Sequence, residues 1–480
     1  STLTTSVFQT LLQELTGKEK DLRRFWNEQC QVMSTKLWLP TETDFVDLPS
    51  NFSSISSLSE TLNLPFSVKK AVNPQMKNSQ TTFYPLSTST PAEKWDEEGI
   101  RSRRIRIYPN TTQKKMLREW IHTTRYVYNR ALHHLKTNED AKWDKGVLKS
   151  MFVTHKYRSG EINPLVKDWE INTPKDVRDG GIRDLVKAFE INIKNLKRGS
   201  TRRFQMRYKK RGKNSSIVIP KSSVSFENGK LKMFSSKKYL NSLIRMGRDK
   251  SLRYLKSIDH DCRLQYKFGK WYLLVPYKQR CKTDTSIKQG VASLDPGVRK
   301  FQTIYNENEV LKIIPNKELI RKLQGKLDRF QSLRDKKSIC KSHYTRRVRK
   351  IYEKLSNLTD ELHYQTISYL CSNYRFIMIP IFESQEIVRR SKNRYMNRNL
   401  LQLRHYKFRM RLKDKCVLSR YTDMEVVSEA HTSKTCSSCG NYDCNLDRSE
   451  VYDCSNCGNK SDRDVNASKN ILLRYYRFYG

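Results

Sequence analysis

The sequence predicts an α+β chain of several domains, on three observations. Short apolar runs bounded by turn residues recur from Cys262 to Ile314 and again at Phe376–Ile379, as strands do. Long stretches with apolar residues at helical spacing occupy 111–132, 175–197 and 316–373. Near the C-terminus, His431 to Leu472 carries two Cys-x-x-Cys pairs. At 480 residues and 56.9 kDa the chain is long enough to bury several cores.

Charge narrows the partners. Lys and Arg number 93 against 49 Asp and Glu, a formal net charge of +44. Such a surplus repels itself unless a polyanion neutralises it, and nucleic acid is the polyanion expected. A basic membrane-surface protein is the competing reading; it is set aside because neither a signal-peptide pattern nor an apolar run of transmembrane length appears. The 11 cysteines then indicate a reducing compartment, four of them on metal and the others in packing.

The first 99 residues carry no usable motif. Phe8, Leu11, Leu12, Leu15, Leu22 and Trp26 have helical spacing. Pro49–Pro91 is rich in Ser, Thr and Asn and is expected on a surface or disordered rather than in a core. Arg101–Tyr108 alternates basic and apolar residues, a strand with one cationic face. Asn110 and Gln113 form a capping box, opening a helix whose apolar face runs through Trp120 to Leu132. On its other face Arg125, Tyr126 and Arg130 either meet nucleic acid or are simply solvated.

Thr173-Pro174 opens a second helix, Lys175–Lys197. Arg202–Lys213 packs seven basic residues into twelve, among them Arg202, Arg203, Arg207, Lys209, Lys210 and Arg211, interleaved with Phe204, Met206 and Tyr208. That alternation suggests a strand laid along a phosphate backbone, with a nuclear-import signal as a further reading. Asn228-Gly229 and Phe268-Gly269 are hairpin turns between strands that include Cys262–Lys267 and Trp271–Tyr277. With Arg101–Tyr108 these suggest a small β-barrel split by the helices.

Carboxylates mark the C-terminal half. Val291–Leu294 reads as a strand ending at Asp295, Pro296-Gly297 turns the chain, and strands Lys300–Tyr305 and Val310–Ile314 follow. Asn316–Asn373 should form a helical hairpin broken near Ser338–Ser342, with His363 a core or surface residue. Phe376–Ile379 suits a central strand buried on both faces, and Glu383 and Glu386 stand just beyond it. A basic helix at Ser391–Arg420 and a strand at Met424–Val427 come next, and Glu429 leads into the cysteine knuckles. Asp462 or Asp464 caps the last helix. A strand Asp, a strand-end Glu and a late helix Asp can together hold two divalent cations about 4 Å apart, and oxygen ligands suit magnesium.

Cys436/Cys439 and Cys454/Cys457 stand fourteen residues apart, each pair followed by a glycine, Gly440 and Gly458. Four thiolates so spaced close a tetrahedral zinc site, with the glycines allowing tight turns around the sulfurs. Cys444 is surplus to it and reads as a free thiol.

The set SLDPG, PIFE, TSKTCSSCG…CSNCG and DRDVNASKNI resembles the TnpB/OrfB family of transposon-encoded proteins. Fanzor proteins are its eukaryotic relatives and type V CRISPR effectors its more distant kin. The resemblance runs from about residue 100 to the C-terminus. It implies a RuvC (RNase H-like) nuclease domain at 289–431 and 461–480, with an inserted zinc ribbon at 432–460. A β-barrel wedge domain would occupy 100–110 and 200–288, a helical recognition domain 111–199, and an extension 1–99. The implied activity is RNA-guided DNA cleavage next to a short target-adjacent motif, by a monomeric ribonucleoprotein that binds an omega guide RNA and double-stranded DNA. Asp295 and Asp464 take the first and third catalytic positions, with Asp462 as the alternative to Asp464. Pro380 stands where most TnpB proteins have the second, so Glu383 is the candidate, as in Fanzors, and Glu386 the fallback. A eukaryotic chain would be nuclear, a bacterial one cytoplasmic. A guided protein that binds without cutting and a guide-independent transposon nuclease are the alternative functions.

Overall fold

The computed structural model describes residues 38–48, 66–74, 99–138, 140–197, 203–211, 215–234, 243–247, 258–279, 289–419, 422–443 and 449–479. The expected helix at Phe8–Trp26, Arg202 and Cys444 lie outside them. The chain forms two compact units, residues 98–279 and residues 1–97 with 280–480. Strands β1 (Val46–Leu48) and β2 (Phe66–Val72) belong to the second of these.

Unit 98–279 begins with β3 (Gly99–Tyr108), followed by helices α1 (Thr111–Thr137), α2 (Lys145–Phe152) and α3 (Lys175–Lys197). Strands β4 (Ser215–Ile219), β5 (Val224–Glu227), β6 (Lys230–Met233), β7 (Ile244–Met246), β8 (Cys262–Lys267) and β9 (Lys270–Gln279) complete it. They form one sheet in the order β4-β8-β9-β3-β7-β6-β5. Both expected hairpins form, with Asn228-Gly229 and Phe268-Gly269 all at positive φ, as such turns need. The Asn110–Gln113 capping box is made, at 2.8 and 2.9 Å. Leu117 and Trp120 of α1 and Val177 of α3 share a core with Ile105, Leu264 and Leu273 of the sheet, so sheet and helices are built around common apolar contacts.

The other unit continues with β10 (Gln289–Pro296), β11 (Gln302–Tyr305), β12 (Glu309–Pro315), α4 (Lys317–Asp335), α5 (Lys341–Asn373) and β13 (Tyr374–Pro380). Then come α6 (Ser384–Arg390), α7 (Arg394–Leu403), α8 (His405–Leu418), β14 (Asp423–Val427), β15 (Val451–Asp453), β16 (Lys460–Asp462) and α9 (Arg463–Tyr479). Its large sheet has the order β1-β2-β12-β11-β10-β13-β14, with β10, β13 and β14 parallel. One face (Ala292, Leu294, Ile377, Ile379) packs on α5, α7 and α8 through Leu362, Leu370, Leu403 and Phe408. The opposite face (Val291, Tyr305, Val310, Met378) packs on α9 through Val465, Ile471 and Leu472. Among the described residues no helix is long and apolar enough to cross a membrane.

The N-terminal segment corrects an expectation. Phe66–Val72, read as surface or disordered, is an inner strand paired with β12 over seven residues, and Phe66 and Val68 lie in the core. Its Lys70 forms an ion pair at 2.5 Å with the buried Glu309. The basic helix expected at Ser391–Arg420 is instead two helices, α7 and α8, joined at Arg404 in the left-handed conformation (φ 53°).

His363 is a core residue. Phe301 is stacked between it and His405, with ring centroids 5.3 and 5.2 Å apart. Burial lowers the His363 pKa to about 4 and that of His405 to about 3. The unfolded chain therefore takes up protons below its ordinary histidine pKa that the folded chain refuses, and stability present at neutral pH is lost as the pH falls. From pH 7 to pH 5 each histidine should remove about 2 kcal/mol of unfolding free energy. Urea denaturation at the two pH values checks this, with His405→Phe flattening the dependence.

Candidate functional site

Asp295 and Asp464 are brought together by a strand and a helix running in opposite directions. The Ser293 hydroxyl on β10 donates to the Ser468 carbonyl on α9 at 2.6 Å, fixing one point of contact. Two residues further along a strand is about 6.6 Å. Four residues back along a helix is about 6 Å. Asp295 and Asp464 therefore come level, at the end of β10 and in the first turn of α9. Asp464 is the first-named charge acting on Asp295.

Asp462 and Asp464 differ in their partners. Asp462 Oδ1 accepts from the amides of Asp464 (2.9 Å) and Val465 (3.3 Å), so Asp462 is the cap of α9. Its Oδ2 is held by Lys300 Nζ at 2.6 Å and Lys312 Nζ at 3.0 Å. Burial raises the Asp462 pKa, but Lys300 and then Lys312 outweigh it and hold the carboxyl below its usual range. Asp464 keeps one partner, Lys300, at 2.9 Å, and is the more exposed of the two.

A carboxylate outside the expected set also acts on Asp295. Ser293 pairs with Met378 and Pro380 with Val427, so continuing the register two residues sets Asp295 level with Pro380 on the α9 face. Proline has no side-chain oxygen to offer there. Glu429 lies two residues beyond Val427 and is the second carboxylate acting on Asp295. Burial pushes the Asp295 carboxyl well above its usual range, Asp464 and Glu429 push it further, and Lys300 opposes them. Partial burial and then the charge of Glu383 raise Glu429. Glu383 is exposed, at the N-cap of α6, and hydrogen-bonded to Glu386. Its hydrogen bond with Glu386, then that residue's charge, raise Glu383, while Glu386 is lowered by the same bond and by Arg390.

The four cysteines converge as spaced. Cys436 Sγ lies 3.7 Å from Cys457 Sγ and Cys439 Sγ 3.6 Å from Cys454 Sγ, with all four sulfurs within 4.8 Å of one another. A tetrahedron with metal–sulfur bonds of about 2.3 Å has edges of about 3.8 Å, so the cluster fits a zinc ion. Gly440 (φ 75°) and Gly458 (φ 67°) make the left-handed turns after each pair. The cluster is fastened to α9: Asn466 accepts from the Ser437 amide and donates to the Thr435 carbonyl, both at 2.8 Å. Asn470 donates to the carbonyls of Thr432 (2.8 Å) and Thr435 (2.7 Å).

Among the proposed nucleic-acid contacts, the structure separates exposed cations from engaged ones. Residues 203–211 are irregular rather than a strand, with Met206 buried among the helices. Lys209 is taken by Asp184 at 3.0 Å and lies over the Tyr128 ring. Arg130 pairs with the fully buried Glu170 at 2.8 Å, a structural role. Arg203, Arg207, Lys210 and Arg211 are less deeply placed. Partial burial and then the charge of Arg211 lower Arg125, and both arginines act on His122, so cations of α1 and the basic run crowd together.

Residues 405–471 match the Cas12f1-like TNB domain family, and residues 100–139 match the helix-turn-helix domain of OrfB proteins. A "Putative transposase A625R" of Paramecium bursaria Chlorella virus 1 is 28% identical over 394 residues, covering 78% of this chain and 87% of its own. "TnpB-like protein L770" of Acanthamoeba polyphaga mimivirus is 25% identical over 393 residues, covering 78% and 73%. The "Putative RNA-guided DNA endonuclease InsQ" of Escherichia coli (strain K12) is 24% identical over 391 residues, covering 78% and 92%. The chain is similar to proteins of the TnpB/OrfB family.

Proposed function

We propose that the protein is an RNA-guided DNA endonuclease with a RuvC-type site, of the Fanzor branch, in which Asp295, Glu429 and Asp464 hold two magnesium ions. The supporting observation is the half-buried acid cluster in which Asp464 and Glu429 act most strongly on Asp295, against a single opposing lysine. Carboxylates so grouped repel unless a cation joins them, and three hard oxygen donors suit magnesium. InsQ carries the activity in its name, and the net charge of +44 fits a nucleic-acid partner.

When bound, the two ions would stabilise charge on the attacking and departing oxygens of an in-line displacement at a phosphodiester. The protein's part is positioning. β10 and α9, tied by Ser293 and Ser468, keep Asp295 and Asp464 level, and β14 carries Glu429 alongside. The charge of Glu383 raises the proton affinity of Glu429. The zinc ribbon, tied to α9 through Asn466 and Asn470, would hold a DNA strand beside the site. Arg125, Arg203, Arg207, Lys210 and Arg211 would contact the guide RNA, whose pairing supplies specificity while the protein reads a short target-adjacent motif. In a eukaryotic host the basic run would also serve nuclear import.

Ribonuclease treatment of the purified protein should lower its ratio of absorbance at the nucleic-acid and protein bands. Sequencing the released RNA then defines a plasmid target, which the untreated protein should cut in magnesium. A ratio unmoved by ribonuclease, or cutting indifferent to target sequence, would leave a guide-independent nuclease.

A further inference from the structure

The acid cluster already contains a cation of its own. Lys300, in the turn between β10 and β11, places its Nζ 2.9 Å from Asp464 Oδ2 and 2.6 Å from Asp462 Oδ2. The same Asp462 oxygen also holds Lys312, at 3.0 Å. Lys312 is itself held from behind by the N-terminal segment. Glu42 Oε1 lies 2.8 Å away and the Phe45 ring centroid 3.7 Å. Register sets Asp295 opposite Thr303 and Thr303 opposite Lys312, so these residues share one face of the sheet. Charges therefore alternate along a chain, Glu42, Lys312, Asp462, Lys300, Asp464, whose three middle side chains are almost fully buried.

We propose that Lys300 is a resident counter-cation, which occupies Asp464 when no divalent ion is bound and withdraws onto Asp462 when one is. The inference rests on the nuclease reading above. Asp462 can receive Lys300 because it is already in contact with it, so the exchange needs only a small swing of one ammonium group. Lys312 sets the balance. By sharing Asp462 Oδ2 it weakens that oxygen's hold on Lys300 and keeps Lys300 on Asp464. The N-terminal segment thereby reaches the catalytic centre through Lys312 without touching substrate. Lys300 and Lys312 are positioning residues in this scheme, and neither transfers a proton.

An ammonium within 4 Å shifts a carboxylate's proton affinity by one to three pK units, so its removal should tighten cation binding by about tenfold or more. The test uses the full-length protein as purified, titrated with Mn2+ and followed by electron paramagnetic resonance. The same preparation carrying Asp295→Ala serves as the blank for ions bound elsewhere. Lys300→Met should bind Mn2+ at the cluster about tenfold more tightly than wild type. It should melt lower than wild type in EDTA and recover most of that loss in Mn2+. Lys312→Met should tighten binding to a smaller degree, and Lys300→Arg should keep wild-type affinity. A merely structural lysine predicts the reverse, weaker binding and a melting loss that Mn2+ does not restore. Unchanged or weaker binding in Lys300→Met, or failure of both methionine variants to fold even in Mn2+, overturns the proposal. If Asp295→Ala binds as much Mn2+ as wild type, the two-metal reading itself falls, and this proposal with it.

Discussion

Glu429→Gln should abolish cleavage by at least about a thousandfold, or about 4 kcal/mol of barrier. Glu383→Gln should cost less than about tenfold. The amide keeps the size of the side chain but removes the charge that a hard divalent cation requires. The contrast follows from the order of charges around Asp295, where Asp464 and Glu429 act directly and Glu383 acts on Glu429. Exposure argues the same way, since Glu383 is open to solvent at the start of α6 and already hydrogen-bonded to Glu386. Asp295→Ala should match Glu429→Gln, and all three variants should retain bound RNA. Single-turnover cleavage at saturating target and several magnesium concentrations is the measurement. An inactive Glu383→Gln beside an active Glu429→Gln would return the second position to Glu383.

Local patterns carried much of this architecture. The four-cysteine cluster was legible because knuckle spacing is a property of a few consecutive residues. The meeting of Asp295 and Asp464 was legible because a strand end and a helix start announce themselves nearby. The action of Glu429 on Asp295 was not, since it depends on β14 lying parallel to β13 with Val427 opposite Pro380. The available signal was a repeated form: a short apolar strand with an acid at its end occurs at Leu294-Asp295 and again at Val427–Glu429. Phe66–Val72 was missed for a related reason. Two lysines break its apolar pattern, its surroundings are Ser- and Thr-rich, and its partner β12 lies over 200 residues away. The alternation of Arg202–Lys213 misled in the opposite sense. It looked like a strand, but Met206 and Lys209 are drawn into contacts with the helices, and the segment runs irregularly between them.

Loss of zinc should disable cutting from a distance, through α9. Asp464 sits in the first turn of that helix, and the next two turns are tied to the knuckles by Asn466 and Asn470. Each such hydrogen bond is worth about 1 kcal/mol, whereas a structural zinc supplies about 10–16 kcal/mol to its module. Without the ion, four sulfurs within 4.8 Å have nothing to hold them, and the carbonyls of Thr432 and Thr435 leave Asn466 and Asn470. Cys454→Ala should therefore lose its zinc and cut at least about a hundredfold more slowly. Backbone amides should exchange faster from residue 432 through the first turns of α9. Residues 98–279, a compact unit of their own, should keep their protection and their RNA. Zinc content by mass spectrometry, hydrogen exchange and single-turnover cutting together decide it. Exchange confined to the knuckles, or undiminished cutting by a zinc-free chain, would show that α9 and Asp464 hold their place without the metal.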